Sequence, residues 1–393
     1  FGQLQVQTAL SQDTRQDTRQ DARASDVVQG KDRRLIVHKP EIAVLETPPE
    51  LLTARVTPLE LLFVRNNGQP KDAATVASRS LDNWGIEFLG AVGRAPKLKA
   101  RDLVEMPQVE REMVLQCCGN GRALFAGSVQ AKGTQWVRGG MGNIRVKGVP
   151  LSAVMDKLGI KPNKDASFLT AEGNDPPPPG KEGFEHSLPL DAAMNGSMLV
   201  VEINGQPVPA CHGGPVRLMT PGFFGTMQIK WVRRLRFESS ESSNYNHASR
   251  YRTPRKLIEP GAAFKYDLEN SKACWRMKLK SVVLAPIPGA KLRAGQDPVV
   301  RGVAFNDGLV PIETVLLSTN KGQTWTRVRL NVPDSPFAWY RWEFPLKLPA
   351  GKHEIWTRAV DRLGRSQPID GSIHWNPSGY EWNGVEKIAI EVV

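Results

Sequence analysis

A cysteine at the end of an apolar, strand-like run is the residue with the clearest chemical potential in this chain. Cys117 lies in the run 115–122, Leu-Gln-Cys-Cys-Gly-Asn-Gly-Arg, so a glycine-rich turn follows it at once. A thiolate is both a nucleophile and a soft metal ligand, and a nearby arginine such as Arg122 lowers the pKa of a thiol. Most free cysteines instead pack as small buried hydrophobes. Spacing alone leaves both interpretations open.

Further motifs follow in a fixed order along the chain. They are Leu-Phe-Val-Arg-Asn-Asn at 62–67, Gly-Thr-Gln-Trp at 133–136, Gly-Asn-Ile-Arg at 142–145, Asn-Gly-Gln-Pro-Val-Pro at 204–209, His-Gly-Gly-Pro-Val-Arg at 212–217 and Lys-Trp at 230–231. Each fragment alone is weak, whereas the ordered set is specific. Together with the cysteine motif, these segments resemble the sulfite oxidase family of molybdenum enzymes, from about residue 51 to the C terminus.

The resemblance implies a metal site at the cysteine. In that family the metal sits on a pyranopterin dithiolene, the cofactor carries the redox chemistry, and the protein adds one thiolate. Cys117 is therefore the predicted molybdenum ligand, with one molybdenum-molybdopterin in each chain. Cys118 stands at an alanine position of the family and is interpreted as a packing residue. Gly121 replaces an arginine of the animal signature.

The resemblance also implies four catalytic side chains, Arg65, Arg122, Trp136 and Tyr251. Arg65 matches the arginine beside the substrate anion, where a planar guanidinium can hold two oxyanion atoms and stays charged. Without the motif, Arg65 would be interpreted as a surface arginine and Trp136 as a core residue. Tyr251, whose hydroxyl can bond substrate oxygens, follows the segment 244–249, which departs from the family pattern.

The same resemblance implies a set of cofactor contacts, because a pterin and its phosphate need cations and hydrogen-bond donors. The predicted residues are Asn66, Asn67, Asp175, His212, Arg217, Gln228, Ile229 and Lys230. Asn67 stands where many relatives have histidine. Without the motif, His212 would be interpreted as an ordinary loop histidine.

The composition limits the class of protein. The chain has 393 residues, a net charge of +12, a pI near 9.6 and a mean hydropathy of −0.35. These values predict two domains and no membrane span. The basic residues are dispersed and no nucleic-acid motif is visible, so an anionic substrate, an acidic partner and an ordinary solvated surface all explain the charge. The four cysteines form no spaced framework; Cys211 and Cys274 either pair or stay buried.

The hydrophobic pattern divides the chain into three parts. Residues 1–47 form a polar arm whose tandem repeat at 12–23 is either a charged helix or disordered. Residues 48–274 combine apolar, strand-like runs with a helix at 149–159 that ends at a glycine, a mixed α+β pattern for the molybdopterin domain. Residues 275–393 show recurrent strands and turns, which predict an immunoglobulin-like sandwich. The sandwich resembles the family's dimerisation domain and implies a homodimer.

The favoured function is oxidation of sulfite to sulfate by oxygen-atom transfer. The chain contains no Cys-x-x-Cys-His motif, so we expect no haem in it and an external c-type cytochrome that takes electrons one at a time. The C terminus lacks a Ser-Lys-Leu tail, and with the missing haem motif this predicts a periplasmic enzyme, exported after cofactor insertion. The alternatives are a family reductase acting on sulfoxides or nitrate, and a non-enzymatic anion-binding protein on the same scaffold.

Overall fold

A computed structural model describes residues 22–68, 80–90, 97–175, 177, 180, 182–295 and 298–393. Residues 12–21 of the tandem repeat lie outside these ranges, as do three of the four prolines at 176–179. Within the described ranges, no helix is long and apolar enough to cross a membrane. All four cysteines are free thiols, so Cys211 and Cys274 do not pair.

The N-terminal two thirds of the described chain mix short helices with fourteen strands. In chain order the strands are β1 (Ile36–Lys39), β2 (Val44–Glu46), β3 (Gly85–Leu89), β4 (Lys97–Lys99), β5 (Val109–Gln116), β6 (Met141–Pro150), β7 (Phe168–Gly173), β8 (Glu185–Pro189), β9 (Met198–Ile203), β10 (Gln206–Pro207), β11 (Arg217–Met219), β12 (Val232–Glu238), β13 (Arg252–Pro254) and β14 (Ser271–Ala273). The helices are α1 (Ala24–Val27), α2 (Asp102–Glu105), α3 (Leu151–Leu158), α4 (Leu190–Gly196) and α5 (Tyr245–Ala248).

Two five-stranded sheets build this region. One has the order β10-β9-β6-β5, with β11 also paired to β9, and the other has the order β4-β3-β12-β7-β8. The second sheet is mixed, because β3 runs parallel to β12. The predicted helix is α3, and it ends as expected at Gly159, whose φ of 66° gives the left-handed cap that glycine favours. Apolar side chains of β9 and β11, of the second sheet and of α3 share one core.

The C-terminal region is all β. Its strands are β15 (Lys280–Ala285), β16 (Lys291–Leu292), β17 (Val299–Phe305), β18 (Ile312–Ser318), β19 (Thr326–Val328), β20 (Leu330–Asn331), β21 (Tyr340–Pro345), β22 (Gly351–Asp361) and β23 (Glu386–Val392). They form a sheet in the order β15-β17-β21-β20 and a second in the order β16-β23-β22-β18-β19. Alternating buried residues from both sheets fill the space between them. The prediction of an α+β domain followed by an immunoglobulin-like sandwich is confirmed.

The two regions share a core next to the predicted metal ligand. Cys118 and Tyr251 of the N-terminal region pack in one cluster with Val303, Phe305 and Tyr380 of the C-terminal region. The cysteine turn is therefore held from both sides, and the sandwich contributes directly to the walls around it.

The stretch before residue 48 is also part of this assembly from residue 22 onward. Leu45 and Val64 exchange backbone hydrogen bonds of 2.9 Å in both directions. The carboxylate of Glu46 accepts backbone N–H bonds from Arg138 at 2.9 Å and Gly139 at 2.8 Å. Residues 22–47, which the sequence pattern assigns to a polar arm, thus pack against the elements that carry the cysteine and arginine motifs.

Candidate active site

The cysteine motif opens onto a cavity in the N-terminal region. β5 delivers Cys117 one residue beyond its last strand position, and the Cys117 N–H bonds the Gly140 carbonyl at 2.8 Å. A turn follows at once, because the Asn120 N–H donates to the Cys117 carbonyl at 3.0 Å. The thiol is thus carried by a rigid strand end and reaches the cavity, where it is only partly buried.

Gly121 explains the departure of the turn from the animal signature. Its φ of 94° lies in the left-handed region, which glycine adopts without a steric penalty. A Cβ at this position would lie 2.6 Å from Cδ1 of Trp382, a residue close to the C terminus. A tryptophan of the C-terminal region thus occupies the space that any larger side chain at position 121 would need.

Arg65, Asn67 and Tyr251 form a hydrogen-bonded triangle on the cavity wall. The Arg65 guanidinium donates from Nη2 to Asn67 Oδ1 at 2.8 Å and to Tyr251 Oη at 3.2 Å. Tyr251 in turn donates its hydroxyl to Asn67 Oδ1 at 2.7 Å. The Tyr251 backbone has a φ of 53°, a conformation that costs a non-glycine residue energy and that clusters at functional sites. Asn67 therefore fixes the guanidinium and the phenol relative to each other.

The thiol of Cys117 is protonated when no metal is present. A hydrogen bond with Cys118 and burial raise the pKa of Cys117 well above its usual value, although the charges of Arg65 and Arg122 oppose that shift. The sequence predicts that Arg122 lowers the pKa of the Cys117 thiol. Arg122 does act in that direction, but its effect is smaller than those of burial and the Cys118 hydrogen bond. A bound metal cation must displace the proton for the sulfur to act as a ligand.

A cluster of buried basic side chains, His212, Arg217 and Lys230, lines the cavity, and Lys31 contacts His212 from outside the lining. Lys230 Nζ donates to Asn66 Oδ1 at 2.6 Å, and Arg217 donates to the His212 carbonyl at 3.0 Å. Lys31 Nζ lies 2.8 Å from His212 Nε2. Lys31 Nζ also donates to the carbonyls of Leu59 and Leu62, so its three donors are used within the protein. Arg217 and Lys230 line the cavity and can bind an anion there.

Burial makes this cluster costly in the absence of an anion. It lowers the pKa of Lys31 to about 8 and that of Arg217 to about 10. Burial, together with the neighbouring cations, also lowers the pKa values of His212 and Lys230 well below their usual values. A bound anion would reverse these shifts, since an opposite charge favours the protonated form of a base.

The site fits the cofactor that the resemblance implies. The buried Oε1 atom of Gln228 has no hydrogen-bond partner in the structure, an arrangement that buried polar atoms rarely keep. The cavity offers one thiol, several cations and this free acceptor, which suit a metal, an anionic phosphate and a pterin donor respectively. Within the described residues, no three His, Cys, Asp or Glu side chains cluster as a metal site, so a metal here must bring further ligands on its own cofactor.

Most of the predicted site residues share this cavity. The lining includes Arg65, Asn66, Asn67, Cys117, Asp175, His212, Arg217, Gln228, Lys230 and Tyr251. Ile229 does not line it; its side chain is 1% exposed and belongs to the core, while its backbone carbonyl bonds the Leu218 N–H at 2.9 Å.

The other two predicted catalytic residues lie behind the cavity wall. Trp136 is fully buried, with its ring centroid 5.9 Å from that of Phe63, because the apolar cluster around β5 and β6 encloses it. Arg122 does not line the cavity either. Its Nε and Nη1 atoms donate to the carbonyls of Ser378 and Thr134, each at 2.6 Å, so backbone oxygens hold the guanidinium that the sequence assigns to an anion pocket.

Sequence reasoning missed several residues around the cavity. Lys31 belongs to the stretch regarded as a polar arm, and no local pattern marks it. Tyr380 stacks on Tyr251 with ring centroids 5.5 Å apart. Thr226 lines the cavity and bonds His186 on β8. The signal available for His186 was its position in a short strand-like run, Glu-His-Ser-Leu-Pro, where a histidine is an unusual buried residue.

Comparisons with known proteins agree with this geometry. Residues 73–246 match the oxidoreductase molybdopterin-binding domain, and residues 271–393 match the Mo-co oxidoreductase dimerisation domain. The mitochondrial sulfite oxidase of Rattus norvegicus is 30% identical over 360 residues, which cover 88% of this chain. This chain spans only 64% of the length of that relative.

Further similar proteins are a second sulfite oxidase, a sulfane dehydrogenase of known structure and a nitrate reductase. The sulfite oxidase of Gallus gallus is 30% identical over 85% of this chain and 73% of that protein. The sulfane dehydrogenase SoxCD of Paracoccus pantotrophus is 25% identical, with a TM-score of 0.76 over 91% of this chain and 86% of that one. The NADH nitrate reductase of Solanum lycopersicum is 28% identical over 82% of this chain and 37% of that protein. The chain belongs to the sulfite oxidase family of molybdenum enzymes.

Proposed function

We propose that this protein oxidises sulfite with water to sulfate, two protons and two electrons. The observation that carries the proposal is the position of Cys117 in one cavity with the Arg65 guanidinium and a cluster of buried cations. The thiol suits a metal, the guanidinium suits an oxyanion beside it, and the cations suit an anionic cofactor tail. The relatives named sulfite oxidase support the same reaction.

The cofactor would be held by residues of both ends of the cavity. Cys117 would bind the metal, while His212, Arg217 and Lys230 would face the anionic end, and Lys31 would support His212 by its hydrogen bond. When bound, the molybdenum cofactor supplies two-electron redox chemistry and an exchangeable oxygen atom. The protein supplies the charge and the hydrogen bonds around it.

The triangle of Arg65, Asn67 and Tyr251 would orient the substrate. The guanidinium stays charged at any working pH and presents several N–H donors in a fixed plane, so it suits a sulfite or sulfate dianion. Asn67 Oδ1 accepts from both partners, Tyr251 Oη accepts one bond from Arg65, and the Asn66 carbonyl accepts another from Arg65 Nη1. The N–H groups of Arg65 outside these bonds and one lone pair of the Tyr251 oxygen are left for ligand atoms.

Turnover of the purified protein tests the proposal directly. Molybdenum content is measured first, and sulfite is then added with ferricyanide as a one-electron acceptor. We expect about one molybdenum per chain and two ferricyanide reduced per sulfate formed. A protein that carries molybdenum but, when given sulfite, neither reduces ferricyanide nor forms sulfate would refute sulfite oxidation.

A second candidate is oxidation of a sulfane sulfur, and one observation favours it. Arg122, expected to be a second anion-holding cation, is tied to two carbonyl oxygens and lies over the Tyr380 ring at 5.2 Å. The cavity wall near Arg65 is instead aromatic, with Phe63, Phe184 and Tyr251. An uncharged sulfur chain suits such a wall better than a dianion does, and the relative SoxCD is named a sulfane dehydrogenase. Comparing kcat/KM for sulfite and for a glutathione persulfide decides between the two substrates.

Two rival interpretations are separated by simple measurements. A reductase would oxidise a reduced viologen in the presence of nitrate or methionine sulfoxide, so the nitrate reductase relatives make that assay a necessary control. A non-enzymatic anion-binding protein would fold fully without molybdenum. Elemental analysis of the folded protein therefore separates the enzyme from a binding protein on the same scaffold.

We further propose an external one-electron acceptor of c type, a homodimer and a periplasmic location. A basic groove supports the acceptor. It is lined by Arg255, Lys256, Lys272 and Lys278, and Tyr380, which also lines it, stacks on Tyr251 of the cavity. The dimerisation-domain match supports the homodimer. Activity in osmotic-shock fluid and the mass of the native protein in solution test the last two.

A further inference from the structure

A row of hydrogen bonds leads from the cavity wall toward the surface through two buried histidines. Thr226, which lines the cavity, has its Oγ1 atom 3.2 Å from His186 Nε2. His186 Nδ1 lies 3.0 Å from His247 Nδ1, and His247 Nε2 lies 2.9 Å from Glu241 Oε2. Both histidines are fully buried, whereas the Glu241 side chain is 13% exposed. We call these four residues the histidine row.

The hydrogen bond between His247 and Glu241, at the outer end of the histidine row, has a defined donor and acceptor. Burial alone would raise the pKa of Glu241, but hydrogen bonds from His247 and Arg252 outweigh it and hold that pKa below its usual value. The ionised carboxylate can only accept, so His247 must donate from Nε2. The backbone N–H of Ser187 also donates to His247 Nδ1, at 3.4 Å. Nδ1 of His247 is therefore an acceptor.

The two hydrogen bonds closer to the cavity have the same donor-to-acceptor direction. Because His247 Nδ1 accepts, the facing Nδ1 of His186 must carry a proton and donate it. A neutral imidazole with a proton on Nδ1 has an acceptor at Nε2, and the Thr226 hydroxyl donates to that atom. All three hydrogen bonds thus point the same way, from the cavity to Glu241.

His186 is held in the neutral form. Burial lowers its pKa well below the usual value, and the charges of Arg250 and Arg252 lower it further. A proton that arrives at Nε2 would therefore not stay on the ring, and His186 would pass its other proton to His247 in the same event. Such a neutral imidazole, with one donor and one acceptor nitrogen, is suited to relay protons.

We propose that the histidine row is a temporary base for the water consumed in the oxidation. This inference rests on the proposed function, in which water supplies the oxygen of sulfate and must lose its protons. In one shift, cavity water gives a proton to Thr226 Oγ1, and the Thr226 hydroxyl proton moves to His186 Nε2. The Nδ1 proton of His186 moves to His247, and the Nε2 proton of His247 neutralises Glu241. Electrons leave separately to the one-electron acceptor.

The shift creates no net charge among the buried rings. One proton leaves the water, one negative charge disappears at Glu241, and both imidazoles stay neutral. The second proton of the water leaves through the open cavity to solvent. When product leaves and water enters the cavity, the stored proton moves back along the same row and is released by the same route. Thr226 touches the cavity contents, whereas His186, His247 and Glu241 are positioning residues that act through its hydroxyl.

Two variants of Thr226 test the base. Thr226→Val keeps the shape but removes the hydroxyl, and Thr226→Ser restores it. With sulfite and ferricyanide, we expect Thr226→Val to lower kcat by about 100-fold, the usual size of a general-base contribution, and Thr226→Ser to stay within about threefold of wild type. The ratio of kcat in H₂O to kcat in D₂O should rise in Thr226→Val, because proton removal becomes rate-limiting. A purely structural defect would leave that ratio unchanged.

A measurement without turnover accompanies the kinetics. Nitrogen-15 NMR of histidine-labelled protein should show His186 protonated at Nδ1 and His247 protonated at Nε2. The opposite tautomer at either ring overturns the proposal, as does a Thr226→Val enzyme with the wild-type kcat and isotope ratio. A wild-type protein that loads molybdenum but does not oxidise sulfite overturns the proposed function instead, so the two failures are distinguishable.

Discussion

At the scale of single residues, the site combines side chains that are costly to bury unless a ligand is present. Arg65 is fixed by hydrogen bonds to Asn67 and Tyr251. Lys31 and Lys230 are inside the fold, where Lys31 contacts His212 and Lys230 donates to Asn66. Such an arrangement stores unfavourable electrostatic energy in the free protein, and an anionic ligand releases it. The predictions at this scale therefore concern individual charges.

Replacing Arg65 removes the guanidinium group that lines the cavity together with the Cys117 thiol. For Arg65→Gln we expect kcat/KM for sulfite to fall by about 10²–10³, because a donor preorganised toward a charged substrate is lost. Arg65→Lys should lie between that variant and wild type, since it keeps the charge but not the planar geometry. Molybdenum content by elemental analysis should be the same in all three proteins. An equal rate in wild type and Arg65→Gln would contradict the role of the guanidinium.

The buried amine of Lys31 makes the stability of the cofactor-free protein depend on pH. Burial lowers its pKa from 10.5 to about 8, whereas an unfolded chain keeps the usual value. Between these pH values the unfolded state binds the extra proton, so the free energy of unfolding rises with pH, by at most about 3 kcal/mol for this group. Lys31→Met lacks this contribution.

Urea unfolding of the cofactor-free wild type and Lys31→Met proteins checks the direction of this pH dependence. The stability of Lys31→Met relative to wild type should be highest near pH 7, where wild type bears the full cost of burying a charge, and should decrease toward pH 10. A stability difference that is independent of pH would mean that the amine is not desolvated in the folded protein.

The sequence predicted the presence in the cavity of most residues that lie in continuous motifs, but it could not predict the isolated residues around it. Cys117, Arg65, His212 and Lys230 stand in patterned segments, and all four line the cavity. Lys31 and His212 are 181 positions apart and meet only because the chain before residue 48 folds back. No pattern around Lys31 records that approach. The position of Arg122 outside the cavity lining could not be predicted either, because its carbonyl partner at Ser378 is 256 positions away.

At the scale of elements, the metal ligand depends on a turn that two regions of the chain build together. β5 ends at Gln116, and Gly121 closes the turn beneath Trp382 of the C-terminal region. The apolar runs predicted β9 and five strands of the sandwich, β15, β17, β18, β21 and β22, but not β16, β19, β20 and β23. The parallel contact of β3 with β12 could not be predicted, because it joins segments nearly 150 residues apart and no local periodicity encodes a partner.

Substitution of Gly121 tests this turn. Gly121→Ala should lower the free energy of unfolding by about 3 kcal/mol, because a left-handed backbone disfavours a Cβ and the added atom overlaps Trp382. Gly159→Ala is the matched control, since Gly159 is also left-handed but no atom lies within 4 Å of the added Cβ, so only about 1 kcal/mol is expected. Equal losses in the two variants, measured by urea unfolding, would show that the Trp382 contact contributes nothing.

At the scale of the whole molecule, the net charge of +12 bears on which external electron acceptor, of the kind that we propose, would approach fastest. The field of a basic protein attracts acidic partners and repels basic ones, and salt screens both effects. With an acidic c-type cytochrome, kcat/KM should fall as ionic strength rises. With a basic cytochrome c it should increase. The same sign of salt dependence for both cytochromes would mean that net charge does not direct the encounter.

The position of that encounter can be tested with a charge reversal inside the basic groove. Lys272 is exposed there, close to Tyr380 and the cavity, whereas Lys321 is 70% exposed in a turn between β18 and β19. Lys272→Glu and Lys321→Glu change the net charge equally, so long-range attraction is matched between them. We expect kcat/KM for the acidic cytochrome to fall several-fold more in Lys272→Glu, because rim charges at a docking surface act mainly on association. Equal effects of the two substitutions would place the docking surface elsewhere on the molecule.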